Sequence, residues 1–163
     1  MTALERRLGK ALLEKGWTLA VAESCTGGLL GAWLTSVPGS SRYFLGGIVA
    51  YSDRLKQDLL DVPESVLVKN GAVSRDSALA MARGLKRFGV EAGIAITGIA
   101  GPDGGTEDKP VGTMWIALIT PVSEYVVHHV GQGSRNEIRL QAVRTALELA
   151  VRVVAGEDEA FDV

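Results

Sequence analysis

The stretch TLAVAESCTGG, residues 18–28, decides the fold class because a short apolar run passes here into a glycine-rich loop. Residues 18–22 predict a buried strand, and the following LLGAWL, residues 29–34, predicts a helix. A strand that enters a helix through such a loop is the building unit of α/β proteins. Ligands of these proteins bind at the carboxyl ends of strands, so the loop is a candidate site.

The chain on either side of this stretch continues the alternation of strands and helices. Further strands are predicted at residues 44–51, 90–96, 112–120 and 123–130. Further helices are predicted at the start of the chain, after Ser52, after Pro63, at residues 74–87 and from Ser134 to about Val154. Because the last two strands form a hairpin with a turn near Pro121, we expect a three-layer α/β/α fold with a mixed, mostly parallel sheet.

The length of 163 residues suits one domain, and we expect it to span residues 1–163 with residues 155–163 as a flexible acidic tail. Apolar residues make up 47% and charged residues 22%, the balance of a soluble globular protein. Seventeen basic and 19 acidic residues leave a net charge of -2, so binding to a nucleic-acid backbone has no electrostatic support.

The sequence also argues against secretion, a membrane span and a metal site. Charged residues interrupt the first 16 positions, which a signal peptide would not allow, and no apolar window of about 18 residues could cross a bilayer. The one cysteine, Cys25, cannot form an intrachain disulfide. The two histidines, His128 and His129, are adjacent in a predicted strand and point to opposite faces, which makes them a poor metal pair.

Ser24 is the candidate nucleophile of the first glycine-rich loop. Its hydroxyl would lie at the positive end of a helix, near backbone N–H groups that could hold an oxyanion or a phosphate. A helix cap beside a tight turn explains the same residues equally well. The loop matches neither the Gly-x-Ser-x-Gly elbow nor the P-loop, and no histidine is placed to assist Ser24. A serine nucleophile here would need another base, and a buried lysine can serve.

Lys56 is the best lysine for that role, since it follows Tyr51, at the end of the second strand, by about one helical turn. Taken alone, an ordinary surface lysine is the more common outcome. Cys25 is a competing nucleophile, although a small buried cysteine is commoner. On the last helix, Arg135 and Arg139 are four residues apart and could clamp a phosphate or simply face solvent.

The glycine-rich stretch TGIAGPDGG, residues 97–105, follows an apolar strand and is unusual enough to suggest a binding loop. Its surroundings contain Asp103, Glu107 and Asp108, but no histidine joins these carboxylates, so a metal site is not expected.

Together these stretches resemble the CinA C-terminal domain family over residues 8–149. The resemblance rests on AESCTGG (22–28), GSS (39–41), Tyr51, Ser52, Lys56, GAVS (71–74), TGIAGPDGG (97–105) and KPVGT (109–113). It implies a cytoplasmic nicotinamide-nucleotide amidohydrolase that converts nicotinamide mononucleotide to nicotinic acid mononucleotide and ammonia. It also implies the stand-alone form of the domain, a homodimer and no cofactor.

By the same resemblance, Ser24 would be the nucleophile, Lys56 the base and Tyr51 an assisting hydroxyl. The residues expected to line the substrate site are Cys25, Thr26, Gly27, Gly28, Thr97, Gly98, Gly101, Arg135 and Arg139. One departure is visible, because the family usually shows Gly-Asp-Arg where this chain has Gly133-Ser134-Arg135. Two rival hypotheses remain open, a non-catalytic nucleotide-binding module and a hydrolase that uses Cys25.

Overall fold

A computed structural model describes residues 3–156, and residues 157–163, which make up most of the predicted acidic tail, lie outside the described part. Five strands and six α-helices form in the described residues. The strands are β1 (Leu19–Glu23), β2 (Phe44–Val49), β3 (Ala92–Gly98), β4 (Thr113–Ile119) and β5 (Glu124–Val130). The helices are α1 (Ala3–Lys15), α2 (Leu29–Thr35), α3 (Asp53–Leu60), α4 (Glu64–Asn70), α5 (Arg75–Gly84) and α6 (Arg135–Ala155).

The five strands form one sheet in the order β2-β1-β3-β4-β5. Strand β1 pairs in parallel with both β2 and β3, whereas β4 is antiparallel to β3 and to β5. Four of the five strands therefore point in the same direction. The expectation of a mixed, mostly parallel sheet is confirmed.

Helices cover both faces of the sheet. Successive side chains of a strand point to opposite faces, and the buried ones pack into two separate apolar clusters, one on each face. On β3, Ile94 and Ile96 pack into the cluster that contains buried residues of α1, α2 and α6. Ala95, between them, packs into the cluster formed with α3, α4 and α5. The two clusters with the sheet between them make the predicted three-layer α/β/α arrangement.

The predicted helix at residues 74–87 forms in two parts. Helix α5 ends at Gly84, and a short 3₁₀ helix follows from Leu85 to Phe88. It stops at Gly89, whose left-handed φ of 75° ends the helical path. Within residues 3–156, no helix combines the length and the apolar character needed to cross a membrane.

Candidate active site

The loops after β1, β2 and β3 meet at the carboxyl edge of the sheet. They line a cavity of about 280 Å³ that is open to solvent. Parallel neighbouring strands end at the same edge, which is why loops distant in sequence converge here. The predicted site residues that line the cavity are Ser24, Cys25, Tyr51, Lys56, Thr97, Gly98, Gly101 and Arg135. Thr26, Gly27, Gly28 and Arg139 do not line it, although they belong to or contact the same loop.

Ser24 directly follows β1, and its backbone N–H donates to the carbonyl oxygen of Ile96 at 3.0 Å. This bond extends the pairing of β1 and β3 by one residue and fixes where the serine sits. The Ser24 residue is 8% exposed, so its hydroxyl lies at the cavity wall and not on the open surface.

Glu23, one residue earlier, holds the start of the loop from within. Its buried carboxylate accepts hydrogen bonds from the backbone N–H groups of Gly28, Leu30 and Gly31, at 3.1, 3.1 and 2.9 Å. Helix α2 has no side-chain cap at Gly28, so the Glu23 carboxylate satisfies N–H groups that a cap would otherwise serve. The residue just before Ser24 therefore fixes the loop that follows it.

The same bonds decide which backbone amides remain free to hold an oxyanion. The N–H of Gly27 donates to the carbonyl oxygen of Ser24 at 3.0 Å, and that of Gly28 donates to Glu23. Both glycine amides, which we expected to face the substrate, are thus engaged inside the loop. Within residues 3–156, the amide of Thr26 donates to no other backbone group and that of Cys25 donates to its own thiol alone, so these two amides are the least engaged donors of the loop.

Arg139 holds the outer side of this loop. Its Nε donates to the carbonyl oxygen of Cys25 at 3.1 Å, and its Nη2 donates to that of Thr26 at 2.8 Å. Because the Arg139 guanidinium lies outside the cavity lining, the two arginines do not form a joint phosphate clamp. Only Arg135 faces the cavity.

Lys56 is a buried lysine, which excludes the alternative of a surface lysine. Its side chain is 2% exposed, and Nζ lies 3.4 Å from the carbonyl oxygen of Tyr51 and 3.4 Å from Oδ1 of Asp53. Ser52 caps α3 by accepting from the N–H of Leu55 at 3.2 Å, which fixes the helix that carries the lysine. An amine and the Ser24 hydroxyl therefore line the same cavity.

Tyr51 and Arg135 bridge the cavity opening. Tyr51 is 60% exposed, and its hydroxyl accepts a hydrogen bond from Nη2 of Arg135 at 3.0 Å. Nη1 of the same arginine donates to the carbonyl oxygen of Gly101 at 2.6 Å. One guanidinium thus joins the loops after β2 and β3. Ser134 caps α6 in a capping box with Glu137 and so sets the start of the helix that presents Arg135.

The two threonines among the predicted site residues are both buried, but they have different surroundings. The hydroxyl of Thr97 lies at the end of β3 and donates to the carbonyl oxygen of Ala72 at 2.9 Å, which ties the glycine-rich loop to the segment before α5. The hydroxyl of Thr26 has no hydrogen-bond partner within residues 3–156. Neither hydroxyl is placed to act as the nucleophile, since each is fully buried.

Cys25 is a weak candidate nucleophile. Its side chain is buried, and Sγ lies 3.6 Å from Sδ of Met114. Burial raises the pKa of the thiol to about 11, with the Glu23 carboxylate adding to the rise, while its backbone hydrogen bond, Arg139 and Arg135 oppose it. The reactive thiolate is therefore scarce at neutral pH. Residues 3–156 contain no group of three or more His, Cys, Asp or Glu side chains arranged to hold a metal ion.

Sequence reasoning missed two carboxylates that shape the site, Glu23 and Asp53. Glu23 is the last residue of a buried strand, and this position places its carboxylate beside the amides of the next helix. Asp53 precedes Lys56 by three residues, a spacing that puts both side chains on one helix face. That spacing was the available signal for Asp53.

The fold and the cavity define an α/β protein with a serine and a buried lysine at the carboxyl edge of its sheet. The chain belongs to the CinA C-terminal domain family, which matches residues 1–154. It is 50% identical over 146 residues to a CinA-like protein of Desulfotalea psychrophila, covering 89% of this chain and 35% of that protein. A CinA-like protein of Syntrophobacter fumaroxidans is 50% identical over 155 residues, covering 94% of this chain and 37% of the relative.

Solved structures agree with this assignment. The competence/damage inducible protein CihA of Agrobacterium tumefaciens superposes with a TM-score of 0.88 at 39% identity, covering 95% of this chain and 94% of that one. A CinA superfamily protein of Klebsiella pneumoniae superposes with a TM-score of 0.89 at 34% identity, covering 94% and 96%. The chain spans about a third of the length of the curated relatives that it matches.

Proposed function

We propose that this chain is an amidohydrolase that converts nicotinamide mononucleotide to nicotinic acid mononucleotide and ammonia, with Ser24 as nucleophile and Lys56 as base. The observation that carries the proposal is the burial of Lys56 in the wall of the cavity that Ser24 also lines. A lysine amine that carries no proton can accept one from a serine hydroxyl in the same cavity. Neither histidine lines this cavity, and Lys56 is the amine that does.

The proposed reaction proceeds through an acyl-enzyme. Lys56, in its neutral form, takes the hydroxyl proton of Ser24 as Oγ bonds to the carboxamide carbon. The N–H groups of Cys25 and Thr26 hold the resulting oxyanion, and one such donor typically contributes about 3 kcal/mol. The C–N bond then breaks, and the leaving nitrogen takes the proton from Lys56 to become ammonia. Water then attacks the acyl carbon, and Lys56 accepts a proton from that water. The bond from the acyl carbon to Ser24 Oγ breaks, Lys56 returns the proton to Oγ, and the carboxylic acid product leaves.

The substrate class is supported by family membership and by the charge at the cavity opening. Arg135 presents its guanidinium there, where the phosphate of a nucleotide would lie within reach of it. Tyr51, bonded to Arg135, would assist at the same edge. We further propose, from the family resemblance, one domain over residues 1–163, a cytoplasmic location, a homodimer and a place in pyridine-nucleotide recycling.

The test is ammonia release from nicotinamide mononucleotide by the purified protein. Ser24→Ala should lower kcat by at least about a thousandfold, because it removes the attacking atom. Ser65→Ala, an exposed serine on α4, is the matched control and should leave the rate unchanged. Full activity in Ser24→Ala would contradict the nucleophile assignment. Binding of the nucleotide without any product would favour the rival hypothesis of a non-catalytic binding module.

A further inference from the structure

We infer that Asp53 is a positioning residue that aims the amine of Lys56 at Ser24, an inference that rests on the proposed function. Lys56 reaches the cavity through four methylene groups, and each of their torsions must be fixed for Nζ to sit in one place. Its hydrogen-bond acceptors in the described structure are the Tyr51 carbonyl oxygen and Oδ1 of Asp53, both 3.4 Å away. Two of the three hydrogen-bonding directions of Nζ are therefore used by these two anchoring acceptors, and the third is available for the Ser24 hydroxyl.

The two anchors differ in what fixes them. The Tyr51 carbonyl belongs to the backbone between β2 and α3, so the fold places it. The Asp53 carboxylate lies on the first turn of α3, three residues before Lys56. It does not cap the helix, because Ser52 provides that cap. Asp53 also lines the cavity itself, next to the amine that it contacts.

The role that we assign to Asp53 needs an acceptor atom and not a negative charge. The Asp53 side chain is 56% exposed, so water screens its charge while its oxygen still accepts from Nζ. Asn offers an oxygen in the same position and Ala offers none, so the two substitutions separate the hydrogen bond from the charge. A misplaced base lowers the rate of the chemical step more than it weakens the binding of a substrate.

The first measurement is steady-state ammonia release by Asp53→Ala and Asp53→Asn. We expect Asp53→Ala to lower kcat about tenfold with little change in KM, and Asp53→Asn to stay within about twofold of the unaltered protein. Asp58→Ala is the matched control, because Asp58 lies on the same helix, has a side chain 53% exposed and pairs with Arg54 at 3.2 Å. It should leave kcat unchanged.

The second measurement separates this inference from the choice of substrate. A fluorophosphonate reacts with an activated serine, because the Oγ–P bond forms as the P–F bond breaks, fluoride leaves and the base takes the proton. Mass spectrometry would follow this reaction at Ser24. Slower labelling in Asp53→Ala that is restored in Asp53→Asn supports the inference, even if nicotinamide mononucleotide is not hydrolysed.

The remaining outcomes overturn the inference. Unchanged labelling in Asp53→Ala shows that Lys56 is aimed without Asp53, and an equal loss in Asp53→Asn shows that the charge matters and not the acceptor. If Ser24 is not labelled in the unaltered protein, the serine is not activated, and the proposed function fails together with the role of Asp53.

Discussion

Two charged side chains hold the Ser24 loop by its backbone, one from each side. Glu23 accepts from three amides at the start of α2, and Arg139 donates to the carbonyl oxygens of Cys25 and Thr26. Bonds between charged side chains and the backbone are stronger than neutral ones, and all five of these bonds are at least partly buried. Ser24, the proposed nucleophile, is therefore positioned by side chains that have no role in the proposed reaction.

Replacing Glu23 with Gln should destabilise the fold by about 1–3 kcal/mol, because one carboxylate oxygen becomes an NH₂ group that faces backbone N–H donors. Urea unfolding measures this loss. Glu148→Gln, in an exposed pair with Arg144 on α6, is the control and should cost about 0.5 kcal/mol or less. Equal losses in the two variants would mean that the Glu23 hydrogen bonds add nothing beyond a surface ion pair.

Cys25 should be almost inert to alkylation at neutral pH. With its pKa raised to about 11 by burial, roughly one thiol in a thousand or fewer is ionised at pH 7.5. Iodoacetamide labelling followed by mass spectrometry should be slow at that pH and should accelerate as the pH rises toward about 11. Cys25→Ser should keep the proposed amidase activity. Rapid labelling at pH 7.5, or loss of activity in Cys25→Ser, would instead favour the cysteine hydrolase.

Helix α3, which carries Lys56, is held at its far end by a close approach of α5. A Cβ atom added at Gly84 would lie 2.0 Å from the carbonyl oxygen of Leu60, the last residue of α3. That oxygen is backbone and cannot rotate away, so a larger residue would push the two helices apart. Glycine at this one position lets α5 approach the end of α3 this closely.

Gly84→Ala should therefore destabilise the protein by about 1–3 kcal/mol and also slow the labelling of Ser24, since α3 must move with its lysine. Urea unfolding and fluorophosphonate labelling measure the two effects. Gly31→Ala on α2 is the matched control, because its added Cβ meets nothing closer than 3.6 Å. Alanine is the better helix former, so this control should gain up to about 1 kcal/mol. A stabilised Gly84→Ala protein would show that the helices separate without cost.

The elements could be predicted from the sequence because each depends on local pattern. Apolar runs, helical spacing and caps such as Ser52 and Ser134 are properties of neighbouring residues. The site was predicted less completely, because its support comes from contacts across the chain. The bond from Arg139 to the Ser24 loop joins residues more than 110 positions apart, and nothing local distinguishes Arg139 from Arg135. Burial of Lys56 likewise depends on how α3 packs and not on its own sequence.

Within residues 3–156, three carboxylates have pKa values below their ordinary 4.5, and two of them, Glu91 and Glu124, join separate elements. Glu91, before β3, accepts from the hydroxyl and the N–H of Thr18, just before β1, at 2.6 and 2.7 Å. Glu124 on β5 accepts from Arg83 on α5, and Glu137 accepts from Ser134 in the cap of α6. In each group the lowering is caused chiefly by the hydrogen bond from that partner's side chain.

This pattern predicts that acid destabilises the fold in a defined range. A carboxylate with a lowered pKa in the fold binds fewer protons there than in the unfolded chain, so its stabilising effect is present above pH 4.5 and is lost as the pH falls below that value. The urea midpoint should therefore be nearly constant above about pH 5 and should fall as the pH drops below 4.5. Glu91→Gln should lower the midpoint at pH 6 and flatten this fall, because the amide cannot titrate. Glu14 is exposed on α1 and serves as the control. The urea midpoint of Glu14→Gln should fall with pH as steeply as that of the unaltered protein. If the urea midpoint of Glu91→Gln falls just as steeply, the hydrogen bonds between Thr18 and Glu91, at the starts of β1 and β3, do not contribute to the acid sensitivity of the fold.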